Sequence, residues 1–95
     1  MIKIEKLTPY QREVYPLLLR TIAELVDEGK KTTYHEIQKQ AKQTQNKTTT
    51  SIQGIDIQLA LLTLVNEAIL NVTDGTYHFN ALREENILEL AKLER

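Results

Sequence analysis

The sequence has 95 residues, 41% of them hydrophobic, with no cysteine and a formal net charge of -1 at pH 7. A chain of this length forms one domain, and the lack of cysteine excludes both a disulfide framework and a thiolate metal site. The near-neutral charge gives no general attraction to nucleic acid. We expect a cytoplasmic protein, because the sequence has no apolar run of membrane-spanning length and its N-terminal residues, MIKIEKL, lack a signal-peptide core.

The first predicted helix begins at Thr8-Pro9-Tyr10-Gln11, where Thr8 is a suitable N-cap and Gln11 completes a capping box. Pro16 removes one backbone donor, so we expect it to kink or split this helix. Gly29 is expected to end it. Apolar residues recur at helical spacing at Val14, Leu18, Ile22 and Leu25.

A second, shorter helix of about ten residues is predicted after Thr33, which forms another capping box with Glu36. The polar, threonine-rich residues 43–54 that follow are either a long loop or contain the start of the next helix at Ser51. One side of the second helix is apolar (Tyr34, Ile37, Ala41), and the other carries His35, Lys39 and Lys42.

The third predicted helix runs from about Asp56 to Ile69. Its expected core stripe is Ile57, Leu61, Leu64, Val65 and Ala68, widened by Leu62 and Ile69. Its remaining face holds Leu59, Thr63, Asn66 and Glu67.

The stretch LNVTDGTYHFN, residues 70–80, predicts a β-hairpin. Asp74-Gly75 suits a type I′ turn because glycine adopts positive φ without strain and aspartate tolerates it. With the turn there, one face of the hairpin is apolar and the other is polar. The apolar face is Leu70, Val72, Tyr77 and Phe79, and the polar face is Asn71, Thr73, Thr76 and His78.

The last predicted helix extends from about Asn80 to Arg95. Because it is too short to be stable alone, its apolar face needs a partner. One interpretation is a homodimer through Leu82, Ile87, Leu90 and Leu93. The other is that the helix folds back across the first helix of its own chain and covers Leu17 and Leu19.

The element order is helix, short extended link, helix, loop, helix, hairpin, helix. Lys31-Thr32-Thr33 leading into YHEIQKQA, followed by LALLTLVNEAILNVTDGTYHF, resembles the winged-helix family of helix-turn-helix domains over residues 8–80. The resemblance implies a mainly α fold with a small β-hairpin: a winged-helix domain at 1–80 and an added C-terminal helix at 81–95. It also implies that the third helix is a recognition helix, that the hairpin is a wing, and that the terminal helix forms a homodimer.

The sequence departs from the family pattern between the second and third helices, where up to about a dozen residues replace the usual short turn. The third helix also contains no arginine, whereas recognition helices usually present basic residues.

A cluster of lysines suggests contact with double-stranded DNA. Glu36 is the only acidic residue within 30–47, so the lysines there are suited to phosphate contacts, while neighbouring Ser and Gln side chains are suited to base edges. The predicted DNA-binding residues are Lys30, Lys31, Lys39, Lys42, Lys47, Ser51, Gln53, Gln58, Thr73 and Thr76. We therefore expect a DNA-binding transcriptional regulator.

The alternative is a winged-helix module that binds a protein partner and no DNA, because Ile55 and Leu59 are expected to be exposed on the same surface and Leu88 lies off the main face of its helix. The sequence contains no catalytic constellation: His35 and His78 lie on separate elements, and the three glycines form no phosphate-binding loop. We therefore expect no enzyme activity, no cofactor and no metal.

Overall fold

The computed structural model describes residues 1–45 and 54–93. The predicted DNA contacts at Lys47, Ser51 and Gln53 lie outside the described residues. A 3-10 turn at Ile4–Lys6 precedes α1 (Pro9–Asp27), α2 (Tyr34–Gln45) and α3 (Gly54–Asn66). The hairpin strands β1 (Leu70–Thr73) and β2 (Thr76–Phe79) follow, then a 3-10 turn at Ala81–Arg83 and α4 (Glu84–Ala91). The expectation of a mainly helical fold with a small hairpin is confirmed.

The first helix begins as predicted, because Thr8 and Gln11 form the full capping box. The predicted split at Pro16 is wrong, since α1 continues through it. A proline inside a helix costs about 3 kcal/mol, whereas fully burying one leucine contributes roughly 1.5–3 kcal/mol. Three consecutive leucines after the proline, Leu17–Leu19, are buried, so packing keeps the helix in one piece.

The end of α1 is confirmed at Gly29, whose φ of +70° is the left-handed conformation that glycine adopts without strain. The Gly29 N–H donates to Val26 O at 3.0 Å, and the Lys30 N–H donates to Leu25 O at 2.9 Å. These two bonds form a Schellman motif, which satisfies carbonyls at the end of the helix.

The second helix is capped by Thr33, whose hydroxyl accepts a hydrogen bond from the Glu36 N–H at 3.2 Å. The link before it is extended and pairs with the hairpin. Thr33 forms an isolated antiparallel bridge with Thr76, and the Tyr77 N–H donates to Thr32 O at 2.9 Å. The start of α2 is thereby fixed against β2.

The third helix ends at Asn66, three residues before the predicted end at Ile69. Ala68 adopts a φ of +61°, and the Ala68 N–H donates to Val65 O at 3.0 Å. The Ile69 N–H donates to Leu64 O at 2.9 Å, which completes a second Schellman motif. No residue type in this stretch predicts the stop, because alanine occupies the position where glycine is usual.

The hairpin has the predicted register, with Leu70 opposite Phe79 and Thr73 opposite Thr76. Asp74 and Gly75 have φ values of +51° and +75°, as a type I′ turn requires. Its apolar face is only partly covered: Leu70 is buried, but Val72 is 47% exposed.

The C-terminal helix folds back on its own chain and packs against α1. Leu90 is fully buried, and Ile87 and Leu93 pack against the same core. Leu90, Ile87 and Leu93 therefore pack within the chain, whereas Leu82, the fourth residue of the predicted dimer stripe, is 88% exposed. The apolar surface that α4 needs is supplied by α1, and Leu17 and Leu19 of α1 are buried.

A single core joins the helices and the start of the hairpin. The Asn86 side chain anchors the N-terminal segment to α4, because it accepts from the Ile2 N–H at 2.7 Å and donates to Ile2 O at 2.9 Å. Within the described residues, no helix is both long and apolar enough to cross a membrane. The fully buried side chains include Leu18, Ile22, Leu25, Ile37, Ile57, Leu61, Leu64, Ile69 and Leu90.

Candidate nucleic-acid interface

Three of the predicted lysines are exposed along α2 and the extended link before it. His35, Lys39 and Lys42 are spaced by four and three residues, so they share one face of α2. All three are exposed, as is Lys31 in the extended link before the helix. We call these four residues the basic line.

The lysines of the basic line keep their charge available for a ligand. Among the described residues, Lys31, Lys39 and Lys42 form no ion pair. Lys30 differs, because its ammonium pairs with the Glu28 carboxylate at 3.1 Å. Both partners of this pair are about half exposed, so the pair contributes little to stability. Lys30 therefore lies near the basic line but is partly neutralised.

The polar face of the hairpin adjoins the start of the basic line. Two residues before Thr33 and two residues after Thr76, the same antiparallel register sets Lys31 opposite His78. On the other side of β2, His78 is paired with Asn71 of β1. Side chains of paired residues point to the same face of a sheet. Asn71, Thr73 and His78 are exposed and Thr76 is half-buried, so hydroxyl, amide and imidazole groups continue the surface that Lys31 begins.

The outward face of α3 has a different chemistry. Gln58 and Asn66 are exposed amides, while Leu59 and Leu62 are exposed by 54% and 56%. The helix contains no lysine or arginine, and its only charged residue is Asp56. Of the predicted base-reading residues, Gln58 is the one that the structure describes, and it lies beside leucines rather than beside cations.

The structure thus places Lys31 next to the link residues that pair with β2, the strand of Thr76, whose partner on β1 is Thr73. Lys39 and Lys42 lie on the exposed face of the helix that follows, and Gln58 lies on α3. Sequence reasoning missed the pairing of the extended link with β2, which brings Lys31 close to the hairpin. The signal available was the β-branched pair Thr32-Thr33, which favours extended backbone. It also left out His35 and His78 as ligand-facing residues, although both are exposed on this surface.

These side chains suit binding of an extended anion. Ammonium groups and hydroxyl or amide donors contact phosphate oxygens, whereas catalysis needs convergent titratable groups. Within residues 1–45 and 54–93, no group of three His, Asp or Glu side chains is placed to hold a metal ion. Comparison of the chain with protein-family models, with curated proteins and with solved structures finds no match.

Proposed function

We propose that this chain is a winged-helix domain that binds double-stranded DNA, with α3 as the recognition helix and the hairpin as the wing. The observation that carries the proposal is the exposed basic line, whose lysines form no ion pair among the described residues and which begins in the link that pairs with the hairpin. Three further features support the fold assignment: the element order, the pairing of the extended link with β2, and the hairpin directly after α3. A role in transcription regulation follows as part of the same proposal.

The proposed contacts divide by type. Lys31, Lys39 and Lys42 bind phosphates, and Thr73 and Thr76 add hydroxyl donors from the wing. Phosphate contacts position a protein on the duplex without reading its sequence. Gln58 is suited to an adenine edge, which presents one donor and one acceptor in the major groove. With few cations on the surface, we expect nonspecific affinity in the usual range, about 10⁻⁴ to 10⁻⁶ M at physiological salt.

The experiment is a titration of a fluorescently labelled random-sequence duplex, followed by anisotropy at low and high salt. The proposal predicts binding at low salt and release at high salt. Lysine side chains that bind phosphates release condensed counterions from the duplex, and this release is less favourable at high salt. If adding the protein leaves the anisotropy of the labelled duplex unchanged at the lowest salt concentration, the result contradicts the proposal.

A protein-interaction module without DNA binding is the second candidate, and the exposed leucines of α3 favour it. Leu59 and Leu62 are more than half exposed on a helix without basic residues. Exposed apolar clusters of this kind mark partner sites. The same titration separates the two functions, because an interaction module ignores the duplex at every salt concentration.

A further inference from the structure

The N-terminal segment, the first turns of α1 and the end of α3 line an open cavity of about 320 Å³. This volume lies at the small end of the range for ligand pockets in proteins, about 300–1,000 Å³. The wall combines an apolar part, a buried hydroxyl and two cations, which is the composition of a site for a small amphipathic molecule. The lining residues are Met1, Ile2, Lys3, Lys6, Leu7, Gln11, Tyr15, Thr63 and Glu67.

Hydrogen bonds at two points hold the wall that the N-terminal segment forms. The Asn86 side chain of α4 bonds to both backbone groups of Ile2, at 2.7 and 2.9 Å. The Arg12 guanidinium of α1 donates to Ile4 O at 3.1 Å. The shape of the cavity is therefore set by contacts within the protein. A pre-formed site reduces the conformational entropy that is lost when a ligand binds.

One part of the wall is apolar. Ile2 is 8% exposed and Leu7 is half-buried, and both pack with the core of the protein. An apolar group of a ligand that lies against these two side chains is removed from water, which favours binding.

Tyr15 supplies a buried polar group to the same wall. The residue is 4% exposed, and its hydroxyl accepts a hydrogen bond from Gln11 Nε2 at 3.3 Å. Among the described residues, this hydroxyl donates to no acceptor. A phenol is a donor as well as an acceptor, so the proton of the Tyr15 hydroxyl is free to bond to a ligand oxygen.

The charged groups of the wall leave two positive charges uncompensated. Lys3 and Lys6 are exposed and form no ion pair within residues 1–45 and 54–93. The Lys6 N–H donates to Lys3 O in a 3-10 turn, where side chains three residues apart lie on the same side. Glu5, between them, does not line the cavity. The Glu67 carboxylate does, but it is paired with the N-terminal ammonium at 3.2 Å. The cavity therefore attracts an anion.

We propose that this cavity binds a small amphipathic carboxylate, with the apolar body of the ligand against Ile2 and Leu7. The carboxylate accepts hydrogen bonds from the Tyr15 hydroxyl and from the ammonium groups of Lys3 and Lys6. Hydrogen bonds to an ionised acceptor are roughly twice as strong as those between neutral groups. The site therefore prefers a carboxylate to a neutral molecule of the same shape.

The proposed ligand leaves the outward face of α3 free. Thr63 and Glu67 are four residues apart, so they lie on one side of the chain at the end of this helix. Gln58, the residue proposed to contact bases, points about 140° away from Thr63 around the helix axis. No residue of the basic line contributes to the cavity. The inference is therefore independent of the proposed DNA binding, and failure of either leaves the other standing.

The test is a titration of the ¹⁵N-labelled chain with 3-phenylpropionate, followed through the backbone amide resonances. We expect saturable shifts at Lys3, Gln11, Tyr15 and Thr63, with a Kd of about 1 mM, as is usual for so small a ligand. The neutral 3-phenylpropanamide has the same shape and should bind at least about fivefold more weakly. Shifts that map to other residues, shifts that do not saturate, or equal affinities for the acid and the amide each overturn the inference.

A pair of double variants tests the role of the lysines. Lys3→Gln with Lys6→Gln should weaken binding of 3-phenylpropionate about fivefold and bring its affinity close to that of the amide. Lys39→Gln with Lys42→Gln removes the same charge from α2 and should leave the affinity unchanged. An unchanged affinity in the first variant, or equal losses in both, contradicts a carboxylate site in this cavity.

Tyr15→Phe tests the buried hydroxyl, because it keeps the ring that packs in the core. It should weaken binding of the acid by about fivefold and binding of the amide by less. Thermal unfolding shows whether the variant is folded. A folded variant that binds the acid as tightly as the parent does overturns the proposed binding mode. If the variant does not fold, the exposed lysine pair decides the question.

Discussion

Thr33, the residue that caps α2, pairs with Thr76 of β2 in an isolated antiparallel bridge. This pairing fixes the start of α2 relative to the hairpin, so Lys31, at the start of the basic line, lies close to β2. The same contact depends on the hairpin turn, because Thr76 follows Gly75 directly. Changes in the turn therefore affect both the fold and the proposed site.

Replacing Gly75 with valine should lower the melting temperature. Gly75 has a φ of +75°, and a Cβ there meets nothing within 4 Å, so the penalty comes from backbone strain alone. A non-glycine residue in this conformation costs about 1–2 kcal/mol, which lowers the melting temperature of a small domain by at least about 4 °C. Thermal unfolding followed by circular dichroism measures this. Asp74→Asn is the matched control, since asparagine tolerates positive φ. Equal melting temperatures for Gly75→Val and the parent contradict the turn assignment.

Replacing Ala68 with glycine should stabilise the protein, which is unusual for such a change. Ala68 has a φ of +61° at the end of α3, where glycine is free of strain. Relief of strain exceeds the added entropy of the unfolded chain, for a net gain of roughly 0.5–1 kcal/mol. Ala23→Gly, inside α1, serves as the control and should destabilise by about 1 kcal/mol. Urea denaturation compares them, and a loss of stability in both variants would show that the Ala68 conformation is wrong.

Replacing Asn86 with alanine should destabilise the protein strongly. Asn86 is 3% exposed and makes two hydrogen bonds to the Ile2 backbone, so its loss leaves two buried peptide groups without partners. Each unsatisfied group costs about 1–3 kcal/mol. Urea denaturation measures the total loss in the free energy of unfolding. Hydrogen exchange at the Ile2 amide shows whether the N-terminal segment detaches. If that amide exchanges equally fast in parent and variant, the anchor does not form in solution.

The stability of the protein should decline in strongly alkaline solution partly because of Tyr10. Its pKa is raised to about 12 in the folded state from an ordinary value of about 10. The folded state therefore favours the protonated phenol, and this contribution is complete below pH 10 and is lost as the pH rises toward 12. Tyr10→Phe removes the ionisable group. The stability difference between parent and variant should change across this interval, and a constant difference argues against the Tyr10–Asp56 contact.

The sequence predicted those parts of the fold that depend on local chemistry. Thr8 caps a helix through its side chain, and Gly29 and Gly75 adopt positive φ because they have none. The predicted helix start, helix end and hairpin turn at these positions are confirmed. The end of α3 at Asn66 was missed because packing places an alanine, Ala68, where local preference favours glycine.

The sequence patterns did not predict the contacts between residues far apart in the chain. The periodicity of the last helix identified Leu90 as apolar but not which surface covers it; that surface is α1 of the same chain. No sequence pattern identified Asn86, which is buried and hydrogen-bonded to the backbone of Ile2. The candidate site shows the same limit. Lys39 and Lys42 were identified from their helical spacing, whereas the pairing of Thr33 with Thr76, which brings Lys31 close to the hairpin, is visible only in the structure.

The most direct test of the proposed DNA binding is the slope of log affinity against log salt concentration for a duplex. Each phosphate contact contributes about 0.9 to this slope, so a triple Ala variant at Lys31, Lys39 and Lys42 should reduce it by about three. A matched triple Ala variant at Lys3, Lys6 and Lys92 removes the same charge from other exposed positions and should leave the slope nearly unchanged. A flat response in the parent, or equal reductions in both variants, would contradict binding through the basic line.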